Sequence, residues 1–297
     1  MKLAWLVAAF WAGSFTVVAQ AKAADLVLEP SSKWTLDYAE DSCALRRQFG
    51  TEENLVQLEI RYFSRSGPAQ ITLASNTLPI ARKLPRFRFE PNGAGHDIAR
   101  PMFAKYDAGF DAVFFEEEVY PRPSTEGEGS TLTLEQLAAW RAKRNEMLAT
   151  VSGLTIYRAF SHPVTLQTGP LANAFTAMDA CVEELRSHWD IDLEREETQS
   201  RSATPTNQAV VAGLIKYPSE LAKAGAAAIV RIRMNVDEQG NPTECHTQLN
   251  LGDPAFERET CEALMANLKF EPALDSESRP MADVWLTSVH FEPYRTR

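Results

Sequence analysis

The sequence predicts an α+β protein. An N-terminal domain of mixed strands and helices (residues 24–190) is followed by a linker (191–210) and a C-terminal domain (211–297) in which a three-stranded antiparallel sheet packs against a helix. Three observations lead there. Short apolar runs separated by Gly, Pro, Ser and Asn recur between Lys33 and Phe89, as strands do. Apolar residues fall at helical spacing in two later stretches, Leu171 to Trp189 and Cys261 to Leu268. Between these stretches, "DIDLEREETQSRSATPTNQA" loses its apolar period and gathers charge, Ser, Thr and Pro, which reads as a linker.

The chain opens with "MKLAWLVAAFWAGSFTVVAQAKAAD", where Lys2 precedes an apolar run from Leu3 to Val18 and small residues stand at Ala19, Ala21 and Ala23. This is the pattern of an export signal cleaved after Ala21 or Ala23. The second frame is preferred because Ala24 follows, giving a signal peptide of residues 1–23 and an exported, periplasmic protein. The alternative is an uncleaved inner-membrane anchor, because the apolar run borders on the length that spans a bilayer. The 297 residues are 44% hydrophobic, enough for cores in one or two globular domains. A formal charge of −10 argues against nucleic acid as a partner, since phosphate contacts need clustered Lys and Arg.

In the N-terminal domain, "KWTLDYA", "NLVQLEIRYF", "AQITLA" and "FRFE" read as strands of one sheet, and "VYPRPSTEGEGST" reads as a flexible surface loop. Thr133 and Gln136 make a capping box ahead of the helical "LEQLAAWRAKRNEMLATV", and the strand-like "LTIYRAF" follows. Gly169 and Pro170 open a second helix whose Leu171, Phe175, Met178, Val182, Leu185 and Trp189 form a core-facing stripe.

In the C-terminal domain, "AAIVRIRMNV" alternates Val230, Ile232, Met234 and Val236 with Arg231, Arg233 and Asn235, the pattern of a half-buried strand. The turn "DEQGNP" returns the chain into "TECHTQLN" and closes a hairpin. Asp253 and Pro254 start a helix with Cys261, Leu264, Met265 and Leu268 on one face. The third strand, "ADVWLTSVHF", alternates Trp285, Val289 and Phe291, so the helix lies across the sheet.

Four cysteines in an exported chain point to disulfides rather than metal ligands. The domain organisation supports joining Cys43 to Cys181 and Cys245 to Cys261. The five histidines lack ligand spacing, so no metal and no cofactor is expected.

The order of Tyr217-Pro218, "AKAGAAAIVRIRMNVDEQGNPTEC" with turn glycine Gly240, a helix ending in "LKFEPA", and "RPMADVWLTSVHF" resembles the C-terminal domain of TonB energy transducers over residues 214–293. The resemblance implies a small helix-on-sheet fold whose last strand lies at an edge. There an extended peptide of an outer-membrane transporter, or of another envelope partner, adds as a further strand. On this sequence the implied site is Tyr217 and Pro218 with Val284, Trp285, Leu286, Thr287, Ser288, Val289, His290 and Phe291. The transducers' uncleaved anchor carries a Ser followed four residues on by a His. Here Ser14 is followed at that spacing by Val18, and the Pro-rich spacer is missing, so the resemblance implies peptide docking rather than force transmission.

Sharper motifs give way to plainer ones. "GAGHD" lacks the third glycine of a dinucleotide loop and reads as a turn. Glu116, Glu117 and Glu118 read as a solvated charge run, and His290 as a rim or edge residue. Ser161 and His162 stand without a nucleophile elbow. The expected function is therefore binding, not catalysis. The alternatives are an envelope enzyme whose chemistry lies in residues 25–190, and a module for self-association as a homodimer.

Overall fold

Alternation of apolar and polar side chains sets the first part of the chain into two sheets. The computed structural model describes residues 25–292 except 66, 92, 94, 106–108, 124–131 and 190. The expected signal peptide, and most of the loop expected within 119–131, lie outside the described residues. Among those described, no helix is long and apolar enough to cross a membrane.

In chain order the first part runs β1 (Leu26–Leu28), β2 (Thr35–Ala39), β3 (Ser42–Phe49), β4 (Val56–Tyr62), β5 (Ala69–Ser75), β6 (Arg86–Glu90), β7 (His96–Asp97), β8 (Met102–Lys105), β9 (Asp111–Glu117), α1 (Leu134–Thr150), β10 (Gly153–Tyr157), β11 (Val164–Leu166) and α2 (Ala172–Arg186). One antiparallel sheet has the order β2-β3-β4-β5-β9-β8, and a second has the order β1-β11-β10-β6-β7. The expectation of one sheet in this region is thus corrected to two. Strands β3 and β9 had no counterpart in the sequence reading: "SCALRRQF" puts two arginines mid-strand, and "DAVFFEE" ends in the acidic run. The capping box of α1 is present, with the Gln136 N–H donating to Thr133 Oγ1 at 3.2 Å and the Thr133 N–H to Gln136 Oε1 at 2.9 Å. The stripe of α2 packs with the inner residues of both sheets, and a disulfide from Cys43 to Cys181 fastens α2 to β3. Closing a loop of 138 residues stabilises by about 5 kcal/mol on the chain-entropy account.

The second part runs α3 (Leu193–Glu196), β12 (Gln199–Arg201), β13 (Thr204–Pro205), α4 (Gln208–Ala212), α5 (Ser219–Lys223), β14 (Ala228–Val236), β15 (Pro242–Asn250), α6 (Pro254–Asn267), β16 (Phe270–Glu271), β17 (Ala273–Asp275), β18 (Pro280–Met281) and β19 (Asp283–Phe291). The main sheet has the order β15-β14-β19, all antiparallel. Val230, Ile232, Met234 and Val236 face Phe256, Leu264 and Leu268 of the α6 region, and Cys245–Cys261 ties α6 to β15. Both disulfides are the pairs read from the sequence. The hairpin turn needs Gly240, whose φ is +80° and where a Cβ would stand 2.1 Å from the Phe270 carbonyl oxygen.

Two expectations change here. Residues 191–210 are not a free tether: β12 pairs with β17 and β13 with β16. The Asn207 side chain holds the segment down, donating to Asn267 O at 2.9 Å and accepting from Lys269 N at 3.0 Å. Strands of two or three residues are too short to show alternation, so a polar stretch that pairs through its backbone looks like a linker in sequence.

The second change concerns β14, which is buried on both faces. Its Ile229, Arg231 and Arg233 are only 2%, 5% and 5% exposed. The covering element is the six-stranded sheet, where Ala74, Met102, Ala112 and Phe114 cluster with Ile229 and pack against Ala227 and Leu251. The six-stranded sheet therefore lies between the three-stranded sheet with its α6 on one face and α2 with the five-stranded sheet on the other.

Candidate functional site

Strand β19 pairs with β14 over nine residues, from Asp283 opposite Val236 to Phe291 opposite Ala228. Its other edge pairs with no strand among the described residues. Period-two alternation then sends its side chains to two destinations. Trp285, Val289 and Phe291 go to the α6 side, where Trp285 meets Phe270 at 5.4 Å between ring centroids. Val284, Ser288 and His290 go to the first part of the chain: Val284 packs against its core, and the Ser288 hydroxyl donates to Glu116 Oε1 at 2.8 Å.

Glu116 on β9 is the polar hub of this contact. It pairs with Arg231 at 2.7 Å, and His290 Nε2 lies 3.8 Å from its second oxygen. Burial pushes the Glu116 carboxyl up, but His290, the Arg231 guanidinium and the Ser288 hydroxyl together hold it down at about 2. The Arg231 guanidinium also stacks over Phe63 at 4.6 Å, and Arg233 over Trp189 at 5.2 Å. Glu116 is thus not part of a solvated run, and His290 stands on an edge strand while its ring faces Glu116. Neither role was legible, because the partners lie more than a hundred positions apart in the chain.

Tyr217 meets Phe256 and Phe291 edge-on at 5.4 and 5.5 Å, and its hydroxyl donates to the Ala226 carbonyl oxygen. Pro218 directly precedes α5 as its N-cap. Tyr217 braces the far end of β19 through its ring contact with Phe291. Thr287 stands opposite Ile232 in the ladder, and Leu286 opposite Arg233.

Two clefts adjoin β19. The larger, about 850 Å³, takes Asp283, Val284, Trp285 and Leu286 from the strand and is lined as well by Arg65, Arg122, Leu134, Glu196, Glu197 and Gln199. The smaller, about 610 Å³, takes Val289, His290 and Phe291, with Arg100, Ile215 and Tyr217. The apolar Leu134 stands exposed in the first. At the start of β19, the Asp283 carboxylate accepts the N–H groups of Ala203 and Val284, each at 2.8 Å. Burial pushes that carboxyl up to about 6. The sequence reading missed the cleft residues outside β19, which for the larger cleft come from separate stretches running from Ser64 to Ser276.

Elsewhere, Ser161 Oγ lies 2.9 Å from His162 Nδ1 on an exposed turn. No curated protein and no solved structure matches the chain. Residues 214–293 match the model of the family described as Gram-negative bacterial TonB protein C-terminal, so this segment of the chain carries the TonB C-terminal domain.

Proposed function

We propose that the chain is an exported envelope protein that captures an extended peptide, from an outer-membrane transporter or another envelope partner, by β-strand addition to β19. One observation carries this reading: among the described residues a nine-residue strand pairs on one side only, and clefts flank both of its halves. Unpaired N–H and C=O groups along such an edge supply a ladder for an incoming strand. Most side chains of β19 are already committed to α6 or to Glu116, so the backbone is what the strand has left to offer. The function is then recognition, with no catalytic group and no cofactor required, and the domain of residues 214–293 ties it to envelope transport.

Proline scanning tests the reading. Alternate N–H groups of an edge strand point inward to β14 and outward. Leu286→Pro and Thr287→Pro therefore remove donors on opposite sides. The outward one keeps its fold, as the near-ultraviolet dichroism of Trp285 reports, and loses peptide binding, while Leu286→Ala keeps it. Equal peptide affinity in all folded variants places the binding surface elsewhere.

A further inference from the structure

Charge is unevenly placed along this chain. Residues 80–100 carry five Lys or Arg against two Asp or Glu, whereas the totals for the protein are 30 and 40. The fold adds Arg158 to this stretch: Arg86 of β6 stands opposite Tyr157 of β10, and the Ala81 N–H donates to the Ala159 carbonyl oxygen at 2.7 Å. Both acids are engaged locally. Asp97 pairs with Arg86 and with Arg158, and Glu90 accepts from Arg88 at 2.7 Å and from the Thr155 hydroxyl at 2.6 Å. Arg82 and Lys83 are exposed and make no ion pair among the described residues.

Next to these cations stands Leu84, 54% exposed. The backbone is fixed on both sides of it. The Lys83 N–H donates to the Ala81 carbonyl oxygen at 2.8 Å, Pro85 is buried, and the Pro85 carbonyl oxygen accepts from the Ile98 N–H at 2.9 Å. A single exposed leucine is ordinary on a protein surface. One held out among Arg82, Lys83 and Arg86 matches the layering of an anionic bilayer, with phosphates outside and hydrocarbon beneath. An acidic protein surface would answer the cations but has no apolar layer under its charges. We propose that the loop 81–86, with Arg158 beside it, is a membrane-surface contact: its cations meet anionic lipid headgroups and Leu84 enters the acyl boundary. The acidic remainder of the chain does not oppose this, because at physiological ionic strength charges more than about 8 Å from the surface are screened. The contact is independent of strand addition at β19, and it gives the first part of the chain a role in placing the protein at an envelope membrane.

Co-sedimentation of the exported protein with vesicles tests the proposal. The parent should bind vesicles of phosphatidylcholine and phosphatidylglycerol in equal amounts, bind phosphatidylcholine vesicles far more weakly, and be released as salt is raised. Arg82→Gln with Lys83→Gln should weaken binding to the mixed vesicles about 10-fold or more. Leu84→Ser should weaken it about 5-fold or more, since the apolar side chain no longer leaves water. All three positions are exposed, so far-ultraviolet dichroism and the urea midpoint should match the parent. A parent that ignores the mixed vesicles, or binds both kinds equally, overturns the proposal. So does undiminished binding by the charge variant. Undiminished binding by Leu84→Ser, with loss in the charge variant, would reveal an anion site without membrane entry and overturn it as well.

Discussion

Arg231 on β14 and Glu116 on β9 form a 2.7 Å ion pair between residues 115 positions apart. The pair sits where the three-stranded sheet lies on the six-stranded one, with Phe63 under the guanidinium and Ser288 on the carboxylate. The two sheets are joined through it as well as through the apolar cluster around Ile229, and Ser288 of β19 is held by the same carboxylate.

Removing one partner should therefore cost more than removing both. Glu116→Ala leaves Arg231 buried and unpaired and should lower stability by about 3 kcal/mol in urea unfolding. Glu116→Leu with Arg231→Met should cost clearly less, since neither charge then remains to be desolvated. A single variant within about 0.5 kcal/mol of the parent would mean that the two sheets part without consequence.

The combined contribution of Glu116 and Asp283 to stability should peak near pH 4. Glu116 is held down from 4.5 to about 2, so its contribution is full above about 4.5 and is lost as pH falls toward 2. Asp283 is pushed up from 3.8 to about 6, so its contribution is full below about 3.8 and is lost as pH rises through 6. Each shift spans more than two pH units, or about 3 kcal/mol. Chemical denaturation across pH should show Glu116→Gln flattening the acid limb and Asp283→Asn flattening the limb from about pH 4 to 6. A parent curve that rises steadily to pH 8 would contradict this.

What the sequence disclosed follows from the range of the forces involved. The hairpin of β14 and β15, the helix α6 with its Asp253 cap, the final strand and the capping box of α1 all rest on local periodicity or on turn chemistry, and all are found. The second face of β14 was hidden because Arg231 and Arg233 look like solvent residues until Glu116, Phe63 and Trp189 are brought to them. The pairing of β12 and β13 was hidden because a strand of two or three residues has no measurable period. For the same reason the edge strand was legible and the clefts beside it were not.

If residues 191–210 are part of the fold, replacing Gln199–Pro205 by a Gly/Ser stretch of equal length should destabilise the protein. Lost pairing to β16 and β17, and loss of the Ala203 N–H from Asp283, should together cost about 2 kcal/mol or more in thermal unfolding. An unchanged melting temperature would restore the reading of a passive tether.

The two disulfides should differ in accessibility. Cys43 and Cys181 are 0% and 1% exposed, whereas Cys245 and Cys261 are only partly buried. Mild reductant without denaturant, followed by alkylation and peptide mapping, should label Cys245 and Cys261 first. Removing that bond should cost about 3 kcal/mol for a loop of 16 residues, and about 5 kcal/mol for the larger one. Labelling of Cys181 ahead of Cys261 would show that α2 opens before α6.

Amide hydrogen exchange along β19 tests strand addition most directly, because it reports the backbone groups themselves. In the free protein, alternate amides between Val284 and His290 should be protected by β14 while those between them exchange quickly. On saturation with a transporter-derived extended peptide, the fast set should become protected, giving a continuous run of slow amides with the inward set unchanged. A bound peptide that leaves the outward amides of Val284 to His290 exchanging at their free rates would contradict strand addition at this edge.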